Sequence, residues 1–302
     1  MKRVLITGAN GMLGISISEE LQNYFNLYLT GKQEKSVINH TNYLKFDLSN
    51  QNYIELVNWA NPDIVIHCAA ITDGCYCQNN PIQAFEINSF SVVKLIDKLP
   101  DSTRFVYIST DAVFPSFIKY PTEKDLTYSE SVYGKSKEVG EFFLLNSKID
   151  YTIIRTTIVG YNCYKENNSF VEWIVKSAKN NKEISLFDDV KFTPISIWDF
   201  SKLIVKVLKP DYSKKKIHIA GNEICTKYDF GIKLLNSIGL PTHKITQASI
   251  NNMKLRANRS NNQSIDCDYF QSLEKIKLPD IQQTINSLKN NYLKYESSKT
   301  WQ

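Results

Sequence analysis

No apolar run in this chain approaches the ~20 residues that a membrane-spanning helix needs. Met1-Lys2-Arg3-Val4 leads straight into a strand-like run, without the apolar stretch and small-residue cleavage site of a signal peptide. A soluble, cytoplasmic protein without membrane attachment is expected. Cysteine is sparse. The six residues Cys68, Cys75, Cys77, Cys163, Cys225 and Cys267 follow neither a disulfide framework nor zinc-ligand spacing. Cys75 and Cys77 are two thiols with no nearby His, which is too few donors for a metal site. Reduced thiols and no bound metal are therefore expected. Charge of one sign is also missing. The net charge is only +5, and no basic stripe interleaved with aromatics suggests a nucleic-acid partner. Asn pairs such as Asn79-Asn80 and Asn261-Asn262 read as solvated loops, and there are no internal repeats.

What is present is enough for a substantial core: 302 residues, 42% of them hydrophobic. Strand and helix signals alternate from the start. Short β-branched runs at Arg3–Thr7, Asn26–Thr30, Tyr43–Phe46, Asp63–His67, Arg104–Ser109 and Tyr151–Arg155 predict strands. Helical periodicity covers about Met12–Tyr24, Gln51–Ala60, Pro81–Leu99 and Ser129–Leu145. This alternation predicts an α/β fold, a Rossmann-type doubly wound parallel sheet with helices on both faces. After residue 160 the rhythm loosens. Helices are expected near Phe170–Lys179, Trp198–Leu208, Lys227–Ser237 and Asp280–Tyr292, with strands near Glu183–Phe187 and Lys216–Ala220. The expectation is a dinucleotide-binding domain over 1–160 and a smaller α/β lobe over 161–302, interleaved with the end of the sheet.

Thr7-Gly8-Ala9-Asn10-Gly11-Met12-Leu13-Gly14 places a G-x-x-G-x-x-G turn between the first strand and first helix. Gly8 permits the turn, Gly11 lets backbone approach a pyrophosphate, and Gly14 lets the helix pack closely. The N–H groups of a helix starting at Met12 and Leu13 would face the phosphates. Gly8, Asn10, Gly11, Met12, Leu13 and Gly14 are thus candidate cofactor residues. The second strand ends Thr30-Gly31-Lys32-Gln33, with no acid to hold ribose hydroxyls until Glu34. Lys32 could pair with a 2′-phosphate or be a solvated loop lysine. NADP(H) is preferred on this reading, with NAD(H) open. Asp47 and Leu48 follow the third strand, where Asp47 could accept from the adenine amine or cap the next helix. His67-Cys68-Ala69-Ala70 follows the fourth strand, and its small residues would let that loop pass near the cofactor. His67 itself reads as a satisfied core histidine.

The most informative residues are Thr110, Tyr133 and Lys137. Tyr and Lys at i, i+4 share a helix face, and a Lys ammonium beside a phenol favours the phenolate. In this position, after a strand ending Ser109-Thr110, Tyr133 reads as the general acid of a nicotinamide-dependent carbonyl reductase. Lys137 would tune it and bind the nicotinamide ribose, while Thr110 would polarise the carbonyl. Thr110 as a plain turn cap is the alternative.

These residues resemble the extended short-chain dehydrogenase/reductase superfamily, and further segments resemble its dTDP-4-dehydrorhamnose reductase family. They are Ile64-Val65-Ile66-His67-Cys68-Ala69-Ala70-Ile71-Thr72, Phe85-Glu86-Ile87-Asn88, Ile108-Ser109-Thr110-Asp111-Ala112-Val113-Phe114, Val132-Tyr133-Gly134-Lys135-Ser136-Lys137 with Gly140-Glu141, and Arg259 through Asp266. The resemblance implies reduction, at C4, of a 4-keto-6-deoxy sugar carried on a nucleoside diphosphate, in deoxysugar and surface polysaccharide synthesis. It adds Thr72 to the cofactor residues. It implies that Asn88 orders the site, that Asp111 and Val113 line the sugar pocket, and that Phe170 and Arg259 lie near the substrate. A homodimer built through helices flanking the sheet is a candidate assembly.

The chain departs from the family pattern in places. Ile158 stands where many members have Trp, Asp189 through Ile195 alters an Asp-Gln…Pro-Thr segment, and Asp73–Cys77 replaces a more acidic loop tied in some members to magnesium. Two alternatives stay open, a nucleotide-sugar epimerase and a non-catalytic NADP-binding regulatory subunit. A dehydratase would carry a second acid after Thr110-Asp111, where Ala112 stands.

Overall fold

The computed structural model describes residues 1–40, 42–49, 52–162, 169–252 and 260–299. Buried β-branched and aromatic runs form strands β1 (Arg3–Thr7), β2 (Asn26–Gly31), β3 (Tyr43–Lys45), β4 (Ile64–His67), β5 (Arg104–Ile108) and β6 (Asp150–Arg155). Four short strands follow: β7 (Ile158–Val159), β8 (Ile184–Phe187), β9 (Lys191–Phe192) and β10 (Ile195–Ser196). The chain then re-enters the main sheet with β11 (Lys215–His218), and ends its strands with β12 (Cys225–Thr226), β13 (Ile245–Ala248) and β14 (Asn262–Gln263).

The central sheet has seven strands in the order β11-β6-β5-β4-β1-β2-β3, and every pairing in it is parallel. β4 and β5 are buried along their whole length, as a sheet covered on both faces requires. Strand order reverses at β1, between β4 and β2, so the crevice beyond the strand C-termini opens there. The expected doubly wound sheet is the observed one.

The helices are α1 (Met12–Leu21), α2 (Tyr53–Ala60), α3 (Gly74–Asn79), α4 (Pro81–Phe85), α5 (Ser91–Ile96), α6 (Val132–Leu145), α7 (Phe170–Lys179), α8 (Ile197–Val207), α9 (Lys227–Ser237), α10 (Asp268–Glu274) and α11 (Ile281–Lys299). Two hydrophobic clusters fill the two sides of the sheet. One gathers Val4, Ile6, Ile17, Ile66, Val106 and Ile204, where α1 and α8 pack together. The other gathers Leu5, Val65, Val92, Phe105, Tyr107 and Leu144, under α2, α5 and α6.

The structure differs from the predicted elements in two instructive places. The helix expected over Pro81–Leu99 is not uniform, because a π-helical turn at Glu86–Phe90 separates α4 from α5. Asp73–Cys77, expected as a loop, winds into α3 with Asp73 as its cap, accepting from the Tyr76 N–H at 2.9 Å. None of the described helices is long and apolar enough to cross a membrane.

Candidate active site

The glycine turn joins β1 to α1. Gly8 sits at φ +66°, and a Cβ there would come within 2.7 Å of the Ala69 Cα, so only glycine lets the β4 loop pass this close. A Cβ on Gly14 would collide with the Gly8 carbonyl, so the helix and its turn are in direct backbone contact. Gly11 is the N-cap of α1 and offers no side-chain acceptor, so the first N–H groups, from Met12 onward, point out of an uncapped helix end. Ala69 and Ala70 lie half-buried beside this turn, as does Cys68, and Thr72 is exposed further along the same loop. This tight backbone turn, with no room for a Cβ at Gly8 or Gly14 and an uncapped helix start beside it, fits a dinucleotide pyrophosphate.

Asn10 is directed elsewhere than its place in the motif suggests. Its amide donates to the Lys35 carbonyl at 2.9 Å, and its oxygen accepts from the Val37 N–H at 2.9 Å. Asn10 therefore clamps the loop after β2. Lys32, in that loop, lies 3.5 Å from the Asp47 carboxylate across the ends of β2 and β3. Burial raises the Asp47 pKa, but hydrogen bonds from Ser49 and the nearby Lys32 outweigh it and leave the carboxyl below its ordinary value. The capping alternative for Asp47 does not hold, because α2 is preceded by Asn52 and Asp47 instead closes a turn onto Ser49. The Leu48 side chain is buried in the core, leaving its backbone as the part near the crevice.

His67 ends β4 fully buried, with Nδ1 3.0 Å from the Thr7 hydroxyl and Nε2 3.3 Å from the Ser91 hydroxyl. Both ring nitrogens are engaged, the satisfied core histidine that was expected. Asn88, in the π-turn, accepts from the Ile71 N–H at 2.8 Å and donates to the Ile71 carbonyl and the Ser136 hydroxyl. It ties the β4 loop to α6. A π-turn at a functional site is a recurrent device for turning one side chain inward.

Thr110 follows β5 and is almost fully buried. Its hydroxyl donates to Asp111 Oδ1 at 3.1 Å and accepts from the Ala112 N–H at 3.2 Å, and it lies near the Tyr133 phenol. Thr110 thus caps the short turn that follows it. Tyr133 stands at the start of α6, whose N-cap Ser131 accepts from the Gly134 N–H at 3.0 Å. Lys137, one turn later, is 1% exposed, with its ammonium 3.9 Å from the centroid of the Tyr107 ring. Burial lowers its pKa to about 7 against the opposing pull of Glu141 and Cys68.

The expected lowering of the Tyr133 pKa is absent from the free protein. Burial pushes the phenol well above its ordinary value, Asp111 and Cys77 push the same way, and only the nearby Thr110 hydroxyl opposes them. The Lys137 ammonium interacts with His67, Cys68 and Glu141 instead. Desolvation outweighs the i, i+4 charge effect here.

Asp111 is half-buried next to Thr110. Burial raises its pKa to about 6, while Lys227, Thr110 and Thr157 favour the charged form. Val113, expected in the sugar pocket, is fully buried in the main core and supports the turn from beneath. Phe170 opens α7 within an aromatic cluster, its ring centroid 6.2 Å from those of Phe192 and Phe230. Arg259 lies outside the described residues.

Two groups escaped the sequence reading. Glu141 accepts from Arg155 Nε at 3.0 Å and Nη2 at 2.6 Å, and from the Ser109 hydroxyl at 2.5 Å, in a buried ion pair behind Lys137. The Gly140-Glu141 pattern signalled it only as part of a motif. Lys227, at the start of α9, sets its ammonium over the Phe192 ring and favours the charged form of Asp111, and no local pattern marks it.

A family model described as RmlD substrate binding domain matches residues 1–294. The spore coat polysaccharide biosynthesis protein SpsK of Bacillus subtilis is 28% identical over 247 residues, 80% of this chain and 81% of that protein. Methionine adenosyltransferase 2 subunit beta of Mus musculus is 25% identical over 283 residues, 90% of this chain and 82% of that protein. Among solved structures, dTDP-4-dehydrorhamnose reductase of Bacillus anthracis in complex with NADP superposes with a TM-score of 0.84 at 25% identity. It covers 95% of this chain and 99% of that one.

Proposed function

The chain belongs to the RmlD substrate binding domain family, and from that premise we propose that it is an NADPH-dependent reductase of a nucleotide-linked 4-keto-6-deoxy sugar. One observation carries the reading: the Thr110 hydroxyl lies near the Tyr133 phenol at the start of α6, with Lys137 one helical turn behind. The similarity to a reductase solved with NADP and to a polysaccharide biosynthesis protein supports the same assignment.

The uncapped start of α1 would hold the pyrophosphate. Lys32 is placed for a 2′-phosphate, which favours NADP(H) while leaving NAD(H) usable. When bound, the reduced nicotinamide supplies the hydride. Thr110 would turn its one hydroxyl proton from Asp111 to the sugar carbonyl oxygen, and Tyr133 would give that oxygen its proton. The raised pKa of Tyr133 serves this direction, since burial keeps the phenol protonated until an alkoxide forms beside it. Lys137 presents its ammonium to the nicotinamide ribose.

The similarity to methionine adenosyltransferase 2 subunit beta favours one second reading, a regulatory partner protein. NADPH and NADH oxidation, followed at the nicotinamide absorbance with dTDP-, GDP- and UDP-4-keto-6-deoxy sugars, separates the two. Turnover with one of them that Tyr133→Phe abolishes, with cofactor binding kept, is expected. Cofactor binding without turnover on any of them would sink the reductase reading.

A further inference from the structure

Lys137 carries its ammonium into a place nearly closed to water. Among the described residues it forms no ion pair, and the carboxylate one turn further along α6, Glu141, is engaged by Arg155 and the Ser109 hydroxyl. The ammonium rests instead on the face of Tyr107, 3.9 Å from the ring centroid. Tyr107 stands on β5 and is itself firmly held. Its ring is fully buried and stacks on His67, with 5.8 Å between centroids and 24° between planes. Its hydroxyl donates to the Asn88 carbonyl at 2.9 Å, and the Lys137 carbonyl lies 3.4 Å away. Gly140 on α6 makes room for that hydroxyl, since a Cβ there would come within 2.3 Å of it. Burial pushes the Tyr107 phenol up, and Glu141 and Tyr133 push the same way, so Tyr107 meets the ammonium as a neutral ring. A neutral aromatic face attracts a cation through its quadrupole, and does so more strongly where water is excluded.

Resting on the reductase reading above, we propose that Tyr107 is the positioning residue of Lys137: its ring face fixes where the ammonium stands and keeps it protonated for the nicotinamide ribose. The lysine stem is flexible, so a contact at its tip decides where the charge sits. Burial works against that charge and the ring works for it. The other titratable and charged groups around Lys137 are Glu141 and Tyr133 on α6, His67 at the end of β4, Cys68 just after it, and Arg155 on β6 behind Glu141. Burial keeps His67 and Cys68 neutral, lowering the imidazole to about 3 and raising the thiol to about 12. Glu141 favours the cation too, but it faces Arg155 as well. A carboxylate in direct contact would take up the lysine's N–H groups. A ring face stabilises the charge and leaves donors for a ribose hydroxyl.

The test keeps the shape of the ring and changes its electrons. The wild type, Tyr107→Phe, Tyr107→Leu and a protein with trifluorophenylalanine at position 107 are isotope-labelled at the lysine ε carbon. The Lys137 signal, identified by its loss in Lys137→Met, is titrated by NMR. Tyr107→Phe keeps the ring face and should titrate within about 0.3 pH units of the wild type. Trifluorophenylalanine and Leu should each lower the midpoint by about one pH unit, a tenfold change in proton affinity. The fluorinated ring fills nearly the same space, so it reads the contact even where Tyr107→Leu fails to fold. NADPH affinity at pH 8 should fall about tenfold with the fluorinated ring, and the gap should narrow as the pH is lowered to 6 and the lysine regains its proton. Acid would not repair a packing defect. An unmoved midpoint with the fluorinated ring, or a Tyr107→Phe midpoint as low as the fluorinated one, overturns the inference while leaving the reductase reading intact. A wild type that binds neither NADPH nor NADH overturns both.

Discussion

Lys137 and Asp111 are charged groups placed where water is scarce, and their stability effects run in opposite directions with pH. Lys137 has a folded pKa near 7 against 10.5 in the unfolded chain. Between those values the unfolded state binds more protons, so stability rises with pH, and below about 7 the fold carries a buried ammonium. Lys137→Met should therefore be more stable than the wild type below pH 7, with the gap closing towards pH 10, while turnover is lost. Asp111 is the mirror case, with a folded pKa near 6 against 3.8. Here the folded state binds more protons in between, so stability falls as pH rises through that window. Asp111→Asn should be more stable above pH 6 by at most about 3 kcal/mol, at about 1.4 kcal/mol per pH unit, with no gain below pH 4. Urea titrations at pH 4 and 8 check both signs. An Asp111→Asn protein no more stable than the wild type at pH 8 would mean that the carboxylate is well solvated. On the proposed reading each residue trades stability for function, as groups at reaction sites commonly do.

At the scale of the element, α6 is held by the buried Glu141–Arg155 pair that connects it to the end of β6. Removing one partner strands the other charge out of water. Glu141→Leu or Arg155→Met should each cost about 3–5 kcal/mol, whereas the double change Glu141→Leu/Arg155→Met should recover a large part of that loss. Urea unfolding of the four proteins gives the coupling directly, and additive single losses would mean that the pair is not a unit. Elements like α6 were legible because their signal is local: a Ser cap, a Tyr/Lys spacing, a continuous amphipathic run. The same holds for β4 and β5, whose unbroken apolar runs announce a strand buried on both faces. The π-turn at Glu86–Phe90 was not legible. It widens the helix so that Asn88 meets Ile71 and Ser136, partners 17 and 48 residues away, and no periodicity in the turn encodes them. Two-residue strands such as β9, β10 and β12 are equally silent, since they exist only because a partner lies alongside. Lys227 belongs with them, an ordinary helix-start lysine in the sequence that meets the Phe192 and Phe170 rings only in the folded chain.

Across the whole molecule, the late segments return to the central sheet. β11 completes the sheet beside β6, α8 covers α1, and Ser201 on α8 donates to Ser16 on α1 at 2.9 Å. The return to the sheet ends at His218, which is fully buried. Its backbone N–H donates to Glu123 at 2.8 Å, and its Nδ1 lies 2.8 Å from the Asp266 carbonyl. The Phe114 ring meets it edge-on, with 5.5 Å between ring centroids. Burial and then the Arg155 charge lower its pKa to about 3, and burial does the same for His67. An unfolded histidine takes its proton near pH 6.5, so between pH 6.5 and 3 the unfolded chain binds protons that these two cannot. Stability is therefore lost as pH falls through that window, by about 1.4 kcal/mol per pH unit for each histidine. Asp111 and Glu123, whose carboxyls burial pushes up, oppose this slope in the same region. The wild-type curve alone would mix these contributions, but a variant isolates one. His218→Gln keeps an amide that can donate to the Asp266 carbonyl and removes the titration. Its unfolding free energy between pH 4 and 6 should fall less steeply than that of the wild type, by about one histidine's share, whatever its absolute stability. Parallel curves would show that His218 is protonated inside the fold, with Glu123 or the Asp266 carbonyl holding the charge at the end of β11.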